Sequence, residues 1–405
     1  MIGRTLIALL MAVSLFSGLA PTAQAADAAP PVAATPSAAA PRLYPTTPVR
    51  KPDGSPWRIG YLESGEYAEY PRTLRVIVQG LQRLGWLALD DDIPTDMNGK
   101  ALWLWLGEHA KGDDLTFVAD AWWQPGDFDA AQREPTRDAI AQRIATRGDI
   151  DLILAMGTWA GQDMRAIGPP VPTVVGSTSN PIAAGIIDSV EDSGRDNLHA
   201  RVEPQRYQRQ LRLFHDIVPF QTLGIVYEDS PAGRTYAALD AVEQVSKELG
   251  FRIIPCHAVS SSVPTATAIT NATGCYADLA NQGVDAVYVT THRGVTKESI
   301  HAIADILNKA RIPTFSMAGS EEVAAGLLLS LAKADMSYVG QFHAETVARI
   351  LNGASPRRLI QLWVDPPKIA LNLGTARKIG FNPPVDILLA ADEVYESPAW
   401  QQGNR

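Results

Sequence analysis

From residue 57 onward, short unbroken apolar runs alternate with longer stretches in which apolar residues return every three or four positions. The runs RIGYLES, DLILAMG, TVVGSTS, TLGIVYE, FRIIPCH, DAVYVTT and TFSMAG predict strands, and the most continuous of them, DLILAMG and TVVGSTS, predict burial on both faces of a sheet. Between the runs, Leu74, Ile77, Val78 and Leu81 share one face of a helix opened by Pro71 and ended at Gly85. Leu239, Val242, Val245 and Leu249 do the same further on, as do Ile300, Ile303 and Leu307. Strands and helices alternating at these lengths predict an α/β chain whose parallel sheets are covered by helices, with strands enough for two sheets. The division between them falls near HARVEPQRYQRQLRLFH, extended at first and helical after Pro204. Between residues 86 and 123 the pattern weakens; ALWLWLGEH and LTFVADAWW read as strands with room for an inserted hairpin.

The N-terminus follows a different pattern. Arg4 precedes an uncharged apolar run over residues 5–16, too short to span a bilayer comfortably, and Ala23-Gln24-Ala25 has the small residues of a cleavage site. These features predict export, with a signal peptide over residues 1–25 cleaved after Ala25, and a periplasmic location. Residues 26–56 are rich in Ala and Pro and predict a disordered tether, because so little apolar bulk cannot offset the entropy of ordering the chain.

Composition narrows the function. A chain of 405 residues, 46% hydrophobic and 20% charged, is long enough for two domains, and its net charge of -9 gives no basic footprint for nucleic acid. The only cysteines, Cys256 and Cys275, would close a loop worth roughly 3 kcal/mol as a disulfide in an oxidising compartment. The alternative is a pair of buried thiols.

Ligands of open parallel sheets bind beyond the carboxyl ends of the strands. In this chain those ends carry Ser64, Glu66 and Tyr67; Thr158 and Trp159; Ser177, Thr178, Ser179 and Asn180; Glu228 and Asp229; Thr290, Thr291, His292 and Arg293; and Ser316. Hydroxyls, amides and a few charges at several strand ends suit a small polar ligand. Each is also a standard helix cap, so only their recurrence marks a site. Trp159 either stacks on an aromatic ligand or packs a core. Glu63 and Glu66 either meet a ligand ammonium or lie in solvent, and Arg293 either takes an anionic group or points outward.

The order DLILAMGTWAGQ, VPTVVGSTSNPIAAGII, RLFHDIVPFQTLGIVYED, VDAVYVTTHRGV, ARIPTFSMAGSEEVAAGLLLSLAKADMSYVGQFHAETVARILNGASP and KIALNLGTARKIGFNPPVDILLAADEVYE resembles the substrate-binding proteins of ABC transporters of the tryptophan-binding type, a class I periplasmic-binding-protein family. The resemblance covers residues 151–396 and, more loosely, 57–86. It implies two lobes, 57–200 with 319–357 and 201–318 with 358–396, joined by three crossovers near 199–203, 318–321 and 357–360. It further implies a monomer that closes on an amino acid or related molecule and hands it to a permease and its ATPase, without a cofactor or metal. The chain departs from the family pattern at His292-Arg293, where an acidic or amide residue is expected, and at Asn180-Pro181 in place of Asp-Pro. The same fold also serves sensors that report a ligand to a membrane kinase.

Enzyme signatures are missing. The sequence holds no G-x-S-x-G, no phosphate-binding G-x-x-x-x-G-K-[ST], no H-E-x-x-H and no cysteine pair at zinc spacing. His215, His301 and His343 sit within helical patterns, and His292 with Glu228 or Asp229 lacks a nucleophile beside it. Catalysis is therefore not expected.

Overall fold

A computed structural model describes residues 44–332, 336–364 and 368–396. The predicted signal peptide lies outside the described residues, as does the tether as far as residue 43. The first lobe opens with β1 (Trp57–Glu63), α1 (Glu69–Arg83), β2 (Ala88–Leu89), α2 (Gly99–His109), β3 (Ala110–Lys111) and β4 (Leu115–Trp123). It continues with α3 (Arg133–Arg147), β5 (Leu152–Met156), α4 (Thr158–Ile167), β6 (Thr173–Gly176) and β7 (Leu198–Ala200). The second lobe holds α5 (Arg206–Ile217), β8 (Thr222–Tyr227), α6 (Pro231–Tyr236), α7 (Leu239–Leu249), β9 (Arg252–His257), α8 (Thr265–Gln282), β10 (Ala286–Val289), α9 (Ile300–Lys309), β11 (Thr314–Ser316), α10 (Ser320–Ala324) and β12 (Leu329–Ala332). After α11 (Met336–Leu351) come β13 (Lys368–Asn372), α12 (Leu373–Ile379), α13 (Val385–Ala390) and β14 (Ala391–Tyr395).

The first sheet runs β4-β1-β5-β6-β7 with every neighbour parallel. The second runs β14-β13-β12-β11-β10-β8-β9, parallel except where β12 meets β13. β5, whose five residues are all buried, shows why an unbroken apolar run suits a central parallel strand: helices cover both its faces. In the second lobe Cys256 of β9 and Cys275 of α8 are joined as a disulfide, with Cα atoms 5.6 Å apart.

Three expectations change. ALWLWLGEH is a helix, α2, because tertiary packing overrides an ambiguous pattern: Leu102, Trp103 and Leu106 are buried while Leu104 faces out. Asn98 caps it by accepting from Ala101 N, and the Trp103 ring stacks on Tyr61 at 5.2 Å while its Nε1 donates to Val118 O. Residues 44–56, expected in the tether, lie against the first lobe, where Trp57 Nε1 donates to Val49 O, Trp86 Nε1 donates to Thr46 O, and Lys51 pairs with Asp151. The second crossover does not fall at 318–321. α10 and β12 still belong to the second lobe, since the apolar run Leu327, Leu328 and Leu329 is buried and β12 pairs with β11 and β13. The chain is back at the first lobe by α11, which packs along α1.

α11 packs along α1, and the contact depends on two glycines. A Cβ at Gly80 would stand 2.6 Å from the Ala344 Cβ and 2.8 Å from Gly340 O, and one at Gly340 would overlap Val76 O. The helix returning from the second lobe thus approaches backbone to backbone. Gly340→Ala is expected to cost about 1–3 kcal/mol by overpacking, read as a lower urea midpoint with an unchanged slope.

Candidate ligand-binding site

The carboxyl ends of both sheets line a cavity of about 80 Å³. From the first lobe it is lined by Tyr67, Glu69 and Thr73 beyond β1, by Ser177, Thr178 and Ser179 beyond β6, and by Arg201 beyond β7. From the second come Arg206 and Tyr207 at the start of α5, Thr291 beyond β10, and Met317 and Ala318 beyond β11. Met336 and Val339 of α11 complete it. Ser177 holds left-handed backbone with φ 53°, which bends the loop sharply off β6. Thr178 Oγ1 is buried and finds no hydrogen-bond partner among the described residues. Across the cavity Tyr207 Oη donates to Ser179 O at 3.3 Å, and burial lifts the Tyr67 phenol well above its usual pKa, so it stays a neutral donor. A wider groove of about 590 Å³ shares Tyr67, Glu69, Ala318 and Met336 with the cavity, and the ion pair of Arg72 with Glu321 joins the two lobes along it.

Of the residues singled out in the sequence, Tyr67, Ser177, Thr178, Ser179 and Thr291 meet at this cavity. The others occupy neighbouring positions with their own partners. Ser64 accepts from Ala160 N and donates to Met156 O, which ties the end of β1 to α4. Thr158 is buried at the first turn of α4, and Trp159 packs edge-on against Phe128 at 5.8 Å beneath the Arg133 guanidinium. Asn180 caps the turn at Ala183, and Glu66 accepts from Asn98. Glu228 accepts from Ser260 and Ser261 of its own lobe, Asp229 lies 3.6 Å from Arg234, and Thr290 donates to Val226 O. Ser316 donates to Glu322 and accepts from Gly319 N. His292 donates from Nε2 to Ala258 O and accepts at Nδ1 from Gly294 N, a neutral imidazole serving as a loop strut. Arg293 turns to the rim, where it meets Asp127 of the first lobe and the carbonyls of Ser260 and Val263.

Arg201 and Arg206 were not singled out in the sequence because RVEPQRYQRQ reads as a crossover followed by a surface helix. The rule applied to the other strand ends would have found Arg201, which directly follows β7.

Behind the cavity the crossovers are pinned by buried polar groups. His199 donates from Nε2 to Ile360 O at 3.0 Å, and burial pushes its pKa down to about 4. His343 of α11 is held well below the ordinary range by burial and then by the charges of Arg201 and His199. Glu63 does not lie in solvent: it is buried at the end of β1, accepting from Tyr61 Oη at 3.1 Å and Gln124 Nε2 at 2.8 Å, and burial raises it to about 7.

Two helix-covered parallel sheets facing each other across a polar cavity at their strand ends define a two-lobed class I periplasmic-binding fold. The sequence profile described as ABC transporter substrate binding protein matches residues 124–395, and the chain belongs to that family. A tyrosine-binding protein of Clostridioides difficile (strain R20291) is 22% identical over 255 residues, 62% of this chain and 70% of that one. Among solved structures, a conserved domain protein from Vibrio cholerae O1 biovar El Tor superposes with a TM-score of 0.63 at 18% identity, covering 84% of this chain and 99% of that one. An ABC domain from Streptococcus pneumoniae in complex with L-Trp gives 0.63 at 16% identity, covering 84% and 100%. At these identities the structural likeness shows a common fold. No described helix is long and apolar enough to cross a membrane.

The buried titratable groups make stability depend on pH with a defined sign. Between pH 4.5 and 6.5 the unfolded chain has both histidines protonated and Glu63 ionised; the native chain has both histidines neutral and Glu63 protonated. Over that window unfolding takes up protons at His199, His343 and His292, whose pKa burial also lowers, and releases one at Glu63, so their contribution to stability is lost as pH falls. Urea midpoints measured across the window should fall toward acid, more steeply in Glu63→Gln and less steeply in His343→Gln.

Proposed function

We propose that the chain is an exported solute-binding protein that captures a small polar ligand, an amino acid or a close relative, between its lobes and delivers it to an ABC permease and its ATPase. The observation that carries this reading is one cavity lined from both sides by hydroxyls and charged side chains, Ser177, Thr178, Ser179 and Arg201 from the first lobe and Arg206, Tyr207 and Thr291 from the second. A ligand that touches both lobes favours the closed state by its differential affinity for it, and the closed state is what a permease reads.

In this reading Arg201 and Arg206 take the ligand carboxylate, which a guanidinium binds through paired hydrogen bonds. Glu69 takes an ammonium, and Thr178 Oγ1 fills its missing hydrogen bond with a ligand oxygen or nitrogen. The remaining strand-end residues, Ser64, Thr158, Trp159 and Asn180 on one side and Thr290, His292 and Ser316 on the other, hold the walls in place. Function as a monomer in the periplasm, after loss of residues 1–25, completes the proposal; a tyrosine-binding relative and an L-Trp complex on the same fold support the choice of amino acids as first probes.

Thermal unfolding of the chain against L-tyrosine, L-tryptophan, the other amino acids, small carboxylates and short peptides tests this directly. A ligand at about 100 times its dissociation constant adds roughly 2.7 kcal/mol and raises the melting temperature by several degrees. In Arg201→Gln the affinity for that ligand should drop roughly tenfold or more, as expected on losing a charged hydrogen bond. No shift with any compound, or equal affinity in Arg201→Gln, would remove amino acids or Arg201 from the account, respectively.

A further inference from the structure

The rim on the far side of the sheets from β7 carries a contact between the two lobes. β4 and β9 are each the outer strand of their sheet, on the side away from β7 in the first lobe and from β13 in the second. The loops leaving them meet. Ser262 N donates to Phe128 O at 3.1 Å, and the Asp127 carboxylate receives the Arg293 guanidinium and, at 3.5 Å, Thr265 Oγ1. Phe128 and Ser262 both hold left-handed backbone, φ 54° and 56°, although neither is a glycine. Paired strain on the two sides of one contact is held only where the surrounding structure imposes it, and such sites cluster at clamps and switches.

Arg293 is held by its own lobe as well. Its buried side chain donates to Ser260 O at 2.9 Å, to Val263 O and to Thr265 Oγ1 at 3.0 Å, all within the second lobe. An exposed, flexible ion pair contributes little; one whose cation is already fixed loses less entropy on pairing. Asp127 reaches the other way, accepting from Glu66 N at 3.1 Å. The next residue, Tyr67, lines the cavity. Phe128 lies over Gly65, where a Cβ would overlap its ring, and under the Arg293 guanidinium at 5.5 Å. The rim contact is therefore tied directly to residues 65–66, next to Tyr67 in the cavity wall.

We propose that Asp127 is the positioning residue of a rim clasp, coupling closure onto Arg293 of the second lobe to the placement of the cavity wall at residues 64–67. A contact made only when the lobes are together biases the open–closed equilibrium by its own free energy, and at the rim opposite the crossovers it acts with the longest lever. The control of closure stands on the contact alone; its effect on ligand retention rests on the cleft being the ligand site, as proposed above.

The test uses the full-length chain without added ligand, as Asp127→Asn, Arg293→Gln and the double variant, followed by small-angle X-ray scattering and by hydrogen exchange at the Glu66 amide. Each single change should raise the open-to-closed ratio roughly tenfold, with the double no more open than the larger single, because both remove the same interaction. The Glu66 amide should exchange faster in Arg293→Gln as well as in Asp127→Asn, although Arg293 lies in the other lobe. Wild-type scattering in both singles, or Glu66 exchange that responds to Asp127→Asn alone, would overturn the clasp and leave Asp127 a local brace. Should Arg293→Gln fail to fold, Asp127→Glu decides: it keeps the charge and must scatter like the wild type while Asp127→Asn opens. Melting curves with L-tyrosine on the same variants keep the two proposals apart, since no shift in any variant counts against the ligand reading and leaves the closure result standing.

Discussion

The relation between the two lobes depends on a short backbone ladder between the first and third crossovers. Val202 N donates to Gln361 O at 2.7 Å, and Trp363 N donates to Val202 O at 2.8 Å. The side chains on either strand reinforce the pair: Gln361 Oε1 accepts from Ala200 N and Ile360 O accepts from His199. Two parallel connections tied at one point can bend together but cannot slide past one another. That constraint lets loops from opposite lobes meet repeatedly at the same residues, and without it neither the cavity nor the rim contact would have a defined geometry.

Within this frame the charged side chains fall into two groups. Those nearest the crossovers and the rim are committed to protein partners. Glu203 pairs with Arg209, Arg293 with Asp127, and Glu228 with the backbone of Ser260 and Ser261. Buried charges are tolerable only when paired in this way. The charged groups that line the cavity, Glu69, Arg201 and Arg206, have protein partners as well, Glu69 lying 3.9 Å from Arg72 and Arg206 3.7 Å from Glu203.

Much of this was legible in the chain. The alternation of runs such as DLILAMG with the Leu74, Ile77, Val78 and Leu81 face located the central strands and helices, because period and burial coincide wherever one face is dry. α2 was misread because Leu102, Trp103, Leu104, Trp105 and Leu106 are apolar on every side, so that no period exists for pattern to report. β12 was overlooked inside a long apolar stretch for a related reason: Leu327 to Leu329 are uniformly buried, and length alone does not separate a strand from a helix there.

At the site, sequence determined which residues stand at strand ends, since the end of an apolar run is a local property. It could not determine where their side chains point. Thr291 faces the cavity while its neighbour Arg293 faces the rim, and that choice was made by Asp127, which lies 166 positions away in the chain. Arg201 entered the cleft because β7 pairs with β6 and the crossover turns beneath α11. The chain by itself thus determined the class of fold, through short-range periodicity, and the family, through the serial order of its segments. Only the tertiary structure decided which polar groups satisfy one another and which remain turned to the cavity, because hydrogen bonds and ion pairs are settled by distances that sequence separation does not encode.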